Sequence, residues 1–140
     1  MSGNVLAFLF AILIVAALVL LAIVMTKKQT PRFDKEKYQI DFLAIENGLD
    51  PDNPATFALA IINGDKILDR ALCEMGVAGK TMGERLKRCG KDKFTKLNAV
   101  WYVHKIRNQI AHEPDFQPDF KQARRALSVY KQALKDLGAV

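Results

Sequence analysis

Cysteine is scarce in this chain, and its two cysteines form no CxxC pair. Two isolated thiols argue against a disulfide framework, and reduced thiols are typical of a cytosolic domain. The spacing of Cys73, Cys89, His104 and His112 matches no zinc-binding pattern. The sequence therefore predicts that the protein holds no metal and no cofactor.

Charge is absent from the first 26 residues, although the chain as a whole has 21 Lys and Arg and 15 Asp and Glu. A helix over the apolar stretch 5–25 would span ~30 Å, the thickness of the hydrocarbon layer of a membrane. A cleaved signal peptide would have basic residues before a shorter apolar run and a small-residue cleavage site after it. We therefore predict a retained transmembrane anchor over 1–26.

Basic residues flank this anchor on one side only. The juxtamembrane linker over 27–33 and the first residues after it hold five Lys and Arg against two acidic residues, whereas none precedes the anchor. Positive charge beside a membrane span stays on the cytoplasmic side. We expect a single-pass protein with its N-terminus outside and its domain in the cytoplasm, and with Lys27 and Lys28 against anionic lipid.

Helical periodicity fills the remainder of the chain, and no segment alternates as a strand would. The apolar spacing and the cap residues predict helices over 34–47, 54–75, 81–88, 92–112 and 119–137. About 110 residues are enough for one domain with its own core. We therefore predict an all-α fold with one N-terminal transmembrane helix, followed over 34–140 by a four- to five-helix bundle.

The triplet Gly79-Lys80-Thr81 is the part of a phosphate-binding loop that this chain contains. The full motif needs a glycine five residues before Gly79, where Glu74 stands, and a preceding strand, which is not predicted. Thr81 and Glu84 match instead a capping box that opens the short third helix. The sequence therefore predicts a helix cap here rather than a nucleotide site.

The helix predicted over 92–112 is apolar on two sides. One stripe runs at helical spacing from Ala99 to Ile110, and a second lies on roughly the opposite face. A helix that is apolar on both sides is buried in a bundle or shared with another chain. We therefore predict a homodimer, whose interface is formed by Phe94, Leu97, Trp101 and His104.

The same helix ends in the sequence Arg107-Asn108-Gln109-Ile110-Ala111-His112. An Arg followed by Asn and then by His, at the end of the penultimate helix of a basic all-α domain, resembles the HEPN superfamily. The stretches NGDKILDRAL and RNQIAHEP also resemble small membrane-anchored HEPN-like proteins of bacteria. The resemblance extends over most of 34–137 in the number and order of helices. It implies a dimer in which the two motif helices face each other.

In active HEPN members this motif cleaves RNA without a metal, and the resemblance implies the same roles for Arg107, Asn108 and His112. His112 would exchange a proton with a ribose 2′-hydroxyl. Arg107 would hold the scissile phosphate with two donors, and Asn108 would orient either group. Because Arg107 and His112 lie about 140° apart around an ideal helix, such a site requires a frayed helix end or a second chain.

A structural role for the motif is the other interpretation. Arg107 can pair with Asp65 or Asp69 of the second helix, and Pro114 stands where active toxin-like members commonly carry a tyrosine. The motif would then belong to a non-catalytic module that binds RNA or another protein. This is the function that we expect, with a metal-independent endoribonuclease as the alternative.

A basic cluster precedes the motif helix. The net charge of +6 belongs to the part of the chain after the anchor, and it favours an anionic partner. The alternative is that these residues only solvate the surface. The predicted contact surface for RNA or lipid consists of Arg85, Lys87, Arg88, Lys91, Lys93 and Lys96.

Overall fold

The structure, a computed structural model, describes residues 3–26 and 32–140. All secondary structure in these ranges is helical, which confirms the predicted all-α fold. The chain divides into two units, with the boundary at residues 30 and 31. The first unit contains one helix, α1 (Gly3–Thr26). The second contains α2 (Lys35–Asn47), α3 (Ala55–Glu74), α4 (Met82–Arg88), α5 (Leu97–His112) and α6 (Phe120–Leu137).

Helix α1 is apolar on every side. Its stretch Gly3–Met25 has a mean hydropathy of 3.3, and none of it is buried within the protein. Side chains such as Leu6 and Phe10 are 62% and 68% exposed. By its length and composition, α1 can cross a membrane.

Polar side chains cap the starts of α2 and α3, and Asn53 at α3 is the cap that the sequence predicts. The side chain of Asp34 accepts a hydrogen bond from the Lys37 amide at 3.1 Å, and α2 ends at Gly48. The side chain of Asn53 accepts from the Ala55 amide at 3.2 Å. Helix α3 therefore begins one residue later than predicted, after Pro54.

Helix α3 is the central element of the second unit, since it contacts α2, α4, α5 and α6. Its residues Ile61, Leu68 and Leu72 are fully buried, and each such side chain stabilises the fold by about 1.5–3 kcal/mol. At Gly64, the ring of Tyr130 from α6 lies where a side chain would begin, since a Cβ there would be 2.4 Å from the ring. Glycine therefore sets how closely α3 and α6 approach.

The N-terminus of α5 differs from the prediction, because residues 92–96 are outside the helix. A short 3-10 turn covers Lys91–Lys93, and Phe94 is extended with its side chain buried in the core. Thr95 donates from its amide and from its hydroxyl to Asp136 Oδ2, both at 2.8 Å. Burial of Phe94 and the two bonds of Thr95 favour an extended segment over another helical turn.

Side chains at the start of α4 and α6 complete the helix ends. Thr81 accepts from the Glu84 amide at 3.2 Å, but the Glu84 carboxylate accepts from the Lys80 amide and not from that of Thr81. Half of the predicted capping box is therefore formed. A complete capping box, made by Asp119 and Gln122, opens α6.

Candidate functional site

A buried carboxylate lies where α3, α5 and α6 meet. Asp65 is 3% exposed. Its Oδ1 lies 2.9 Å from His104 Nδ1 and accepts from the Tyr130 hydroxyl at 3.3 Å. Its Oδ2 lies 3.6 Å from Arg107 Nε, an ion pair that is too long for a hydrogen bond. Since an unpaired buried charge is very unfavourable, these three partners account for an acid in the core.

The hydroxyl of Tyr130 remains protonated over the physiological pH range. Burial is the main cause that raises its pKa well above the usual value, and the neighbouring Asp65 carboxylate raises it further. The hydroxyl therefore acts as a fixed donor to Asp65.

Four side chains form a closed ring of polar contacts, which we call the Asp65 ring: Asp65, His104, Asn108 and Arg107. Beyond the contacts of Asp65, Asn108 Nδ2 lies 3.3 Å from His104 Nε2, and Arg107 Nη1 donates to Asn108 Oδ1 at 3.3 Å. A carboxylate can only accept, so His104 carries its proton on Nδ1 and accepts at Nε2 from the Asn108 amide. The ring therefore fixes how the Arg107 guanidinium is oriented.

A cleft of about 550 Å³ opens beside the ring. It is lined by α3, by the residues that lead into α4, and by α5. We call it the motif cleft. Besides members of the Asp65 ring, the charged and polar side chains that line it are Lys66, Asp69, Lys80, Thr81 and His112.

The motif cleft is electropositive. The Asp65 carboxylate is engaged within the ring, and Asp69 Oδ1 accepts from Arg85 Nη1 at 2.7 Å. Lys66 and Lys80 are exposed, and within residues 32–140 neither forms an ion pair. Since Asp65 is paired with Arg107 and Asp69 with Arg85, Lys66 and Lys80 leave an excess of positive charge, which is suited to an anionic ligand.

All three motif residues line this one cleft. The side chain of Arg107 is 32% exposed, and His112 is exposed as the last residue of α5. The helix continues through His112, and both residues line the cleft. The expectation that a catalytic site would require a frayed end or a second chain stays a prediction.

The structure separates the two acids that were expected beside the motif. Asp65 lies beside Arg107. Asp69 lies one turn further along α3 and pairs with Arg85, whose side chain is 13% exposed. Arg85 is thus occupied by an internal ion pair, which corrects its assignment to a free contact surface.

The rest of the predicted contact surface lies away from the motif cleft. Lys27 and Lys28 lie outside the described residues. The other basic residues of the cluster are exposed, and none of them lines the cleft. These are Lys87, Arg88, Lys91, Lys93 and Lys96.

Two of the four residues predicted to contact a second copy belong to the core of one protomer. Phe94 is 5% exposed and His104 is 7% exposed, so both offer almost no surface to another chain. Leu97 and Trp101 are half-buried and pack against the same core. The homodimer itself stays a prediction.

Sequence reasoning missed Lys66 and Lys80 as site residues. Lys80 belongs to the triplet Gly79-Lys80-Thr81, whose phosphate-loop character was set aside because the rest of that motif is absent. Its position before α4 places it on the motif cleft without any such loop. Lys66 had no signal of its own beyond its place next to Asp65.

Comparison with protein families, with curated proteins and with solved structures finds no match for this chain. The HEPN resemblance therefore stays a prediction. Within the described residues, no group of three or more His, Cys, Asp or Glu side chains is placed to hold a metal ion.

Proposed function

We propose that this protein is a membrane-anchored RNA-binding protein whose motif cleft takes the sugar-phosphate backbone. The observation that carries the proposal is the charge of the cleft. Lys66 and Lys80 line it and form no ion pair within residues 32–140, while Asp65 and Asp69 are paired with Arg107 and Arg85. Phosphate contacts by Lys and Arg supply most of the affinity of sequence-independent RNA binding.

Arg107 is the residue best suited to hold a phosphate. Its guanidinium is planar and presents five donors, so it can bind a phosphate through two parallel hydrogen bonds. Its Nη1 donates to Asn108 and its Nε lies near Asp65, while 32% of the side-chain surface stays exposed. A guanidinium that is already oriented loses less entropy when it binds.

Binding without cleavage is the function that the Asp65 ring favours. The ring engages Arg107 and Asn108, two of the three motif residues, in contacts with Asp65 and His104, whereas His112 lies outside it. This structural engagement of two motif residues supports a binding role for the motif.

Endoribonuclease activity is the second candidate, and one observation favours it. His112 is exposed and lines the same cleft as Arg107. An imidazole near a bound phosphate can act as a general acid or base close to neutral pH.

The anchor would hold this site at a membrane. Helix α1 is long and apolar enough to span a bilayer, and the positive charges that follow it favour a cytoplasmic second unit. RNA would then meet the motif cleft close to the membrane surface.

The first test measures RNA binding by the full chain in neutral-lipid nanodiscs. A Lys66→Gln/Lys80→Gln variant should bind a short single-stranded RNA more weakly. The slope of log affinity against log salt should fall by about 1.4, because about 0.7 is lost for each phosphate contact on a single strand. The control is Lys121→Gln/Lys135→Gln, which removes the same charge from exposed positions of α6. Equal affinities and slopes for both variants, or tighter binding of single-stranded DNA, would contradict the proposal.

The second test separates binding from cleavage. Wild type and His112→Ala are incubated with the same RNA in EDTA, and the products are separated on a gel. An RNA-binding protein leaves the RNA intact in both samples. Cleavage by wild type to 2′,3′-cyclic phosphate ends, lost in His112→Ala while affinity is retained, would establish the nuclease instead.

A further inference from the structure

A second depression lies against the other side of the end of α5. Its volume is about 470 Å³, and Tyr102, Lys105, Gln109 and the acidic Glu113 line it together with Asn108 and His112. The last two residues also line the motif cleft. The two depressions therefore adjoin each other at Asn108 and His112.

Tyr102 is the most unusual residue of this second depression. It is 45% exposed, whereas every other aromatic side chain of residues 32–140 is buried or half-buried. The Arg125 guanidinium of α6 lies 5.1 Å from the centre of its ring. This cation–π contact holds the ring in place and adds positive charge beside it.

We propose that Tyr102 stacks a base of the RNA strand whose phosphate lies in the motif cleft, an inference that rests on the proposed function. Every base has a π-face, so one exposed aromatic ring beside a cationic groove binds single strands without sequence preference. Lys105, on the same face of α5, is exposed and lines the same depression as Tyr102.

The distance along α5 between Tyr102 and Asn108 sets the minimum length of the RNA. Tyr102 and Asn108 are six positions apart, which corresponds to ~9 Å along the helix axis. A stacked strand rises ~3.4 Å per nucleotide. An oligonucleotide of about three nucleotides or more can reach both depressions, whereas a mononucleotide cannot.

The test compares Tyr102→Ala with Tyr102→Phe in the full chain in neutral-lipid nanodiscs. Alanine should weaken binding of a short single-stranded RNA about 5- to 100-fold, as loss of one stacked base does. Phenylalanine keeps the ring and should bind like wild type. The salt slope should be unchanged in both variants, because neither removes a phosphate contact.

Two controls isolate the stacking contact. Leu59→Ala removes another exposed apolar side chain, 56% exposed on α3, and should leave the affinity unchanged. An RNA whose bases are replaced by abasic linkers should bind wild type and Tyr102→Ala equally well.

The outcomes distinguish this inference from the proposed function. If Tyr102→Ala binds like wild type while Lys66→Gln/Lys80→Gln binds more weakly, the stacking role is wrong and the cleft still binds RNA. If wild type binds no RNA, both proposals fail. If Tyr102→Ala alters the oligomeric state and leaves the RNA affinity unchanged, the ring belongs to a surface between copies.

Discussion

At the residue scale, the position of the motif depends on Asp65. This carboxylate of α3 contacts His104 and Arg107 of α5 and Tyr130 of α6. Through His104 it also orients Asn108, which in turn contacts Arg107. In the proposed function, these contacts orient the Arg107 side chain before a phosphate arrives.

Replacing Asp65 should therefore destabilise the fold. Asp65→Asn keeps the size of the side chain but removes the charge beside Arg107 and one acceptor of the ring. We expect a loss of about 1–3 kcal/mol in the free energy of unfolding, as when a buried donor loses its acceptor. Chemical denaturation of wild type and variant measures it.

Asp41→Asn is the matched control for this measurement. Asp41 Oδ2 lies 2.7 Å from Arg70 Nη2. The Asp41 side chain is 34% exposed and the Arg70 side chain is 37% exposed. Surface pairs of this kind contribute about 0–1 kcal/mol. Similar losses for both variants would show that the Asp65 ring contributes no more than a surface ion pair.

The sequence narrowed the partner of Arg107 to Asp65 or Asp69 but did not decide between them. Both acids lie on one side of a largely apolar helix, four residues apart. Which acid pairs with Arg107 depends on Arg85 of α4, because Arg85 donates to Asp69. Contacts between separate helices of this kind are not encoded in the spacing of either helix.

At the element scale, the approach of α3 to α6 depends on Gly64. A Cβ at that position would lie 2.4 Å from Tyr130 Cδ2, and Tyr130 is fully buried. The ring cannot move away easily, because its hydroxyl also donates to Asp65.

Gly64→Ala should therefore destabilise the protein by about 1–3 kcal/mol, as overpacking of a core does. In an uncrowded helix the same change would stabilise it by about 0.5–1 kcal/mol, so the sign of the effect is diagnostic. Thermal or chemical unfolding gives the answer.

Gly90→Ala serves as the control for the backbone effect. Gly90 has φ −55° and ψ 146°, which alanine adopts readily, and a Cβ there meets nothing within 4 Å. The change should be neutral or stabilising by up to about 1 kcal/mol. A stabilising Gly64→Ala would show that α3 and α6 are not in close contact.

Periodicity and cap residues predicted the helices well, and tertiary contacts explain where the prediction was wrong. Asp34, Asn53 and Asp119 accept hydrogen bonds at the starts of α2, α3 and α6. The segment before α5 has helical propensity of its own. It is extended because Phe94 reaches the core and Thr95 reaches Asp136 of α6, which no local pattern reveals.

At the scale of the whole molecule, α1 and the second unit have different tasks in the proposed function. Every residue of the buried core lies between Tyr38 and Ala139, so the second unit has a core of its own. Helix α1 has the length and composition of a membrane span. The anchor would set where the RNA site works, and the second unit would set what it binds.

The proposed orientation can be tested through a single thiol. Cys73 is exposed and Cys89 is buried, and burial raises the pKa of the Cys89 thiol, which makes it less reactive. A membrane-impermeant maleimide should label Cys73 only after intact cells are lysed. Cys73→Ser should abolish that signal. Labelling of Cys73 in intact cells would place the second unit outside.

The central claim is that RNA lies in the motif cleft and not on the exposed basic cluster. The most direct measurement is photo-crosslinking of 4-thiouridine RNA to the full chain, with the attached peptides identified by mass spectrometry. The account predicts crosslinks at the end of α5 and around Lys80, reduced in Lys66→Gln/Lys80→Gln. Crosslinks concentrated on the cluster from Lys87 to Lys96, unchanged in that variant, would contradict it.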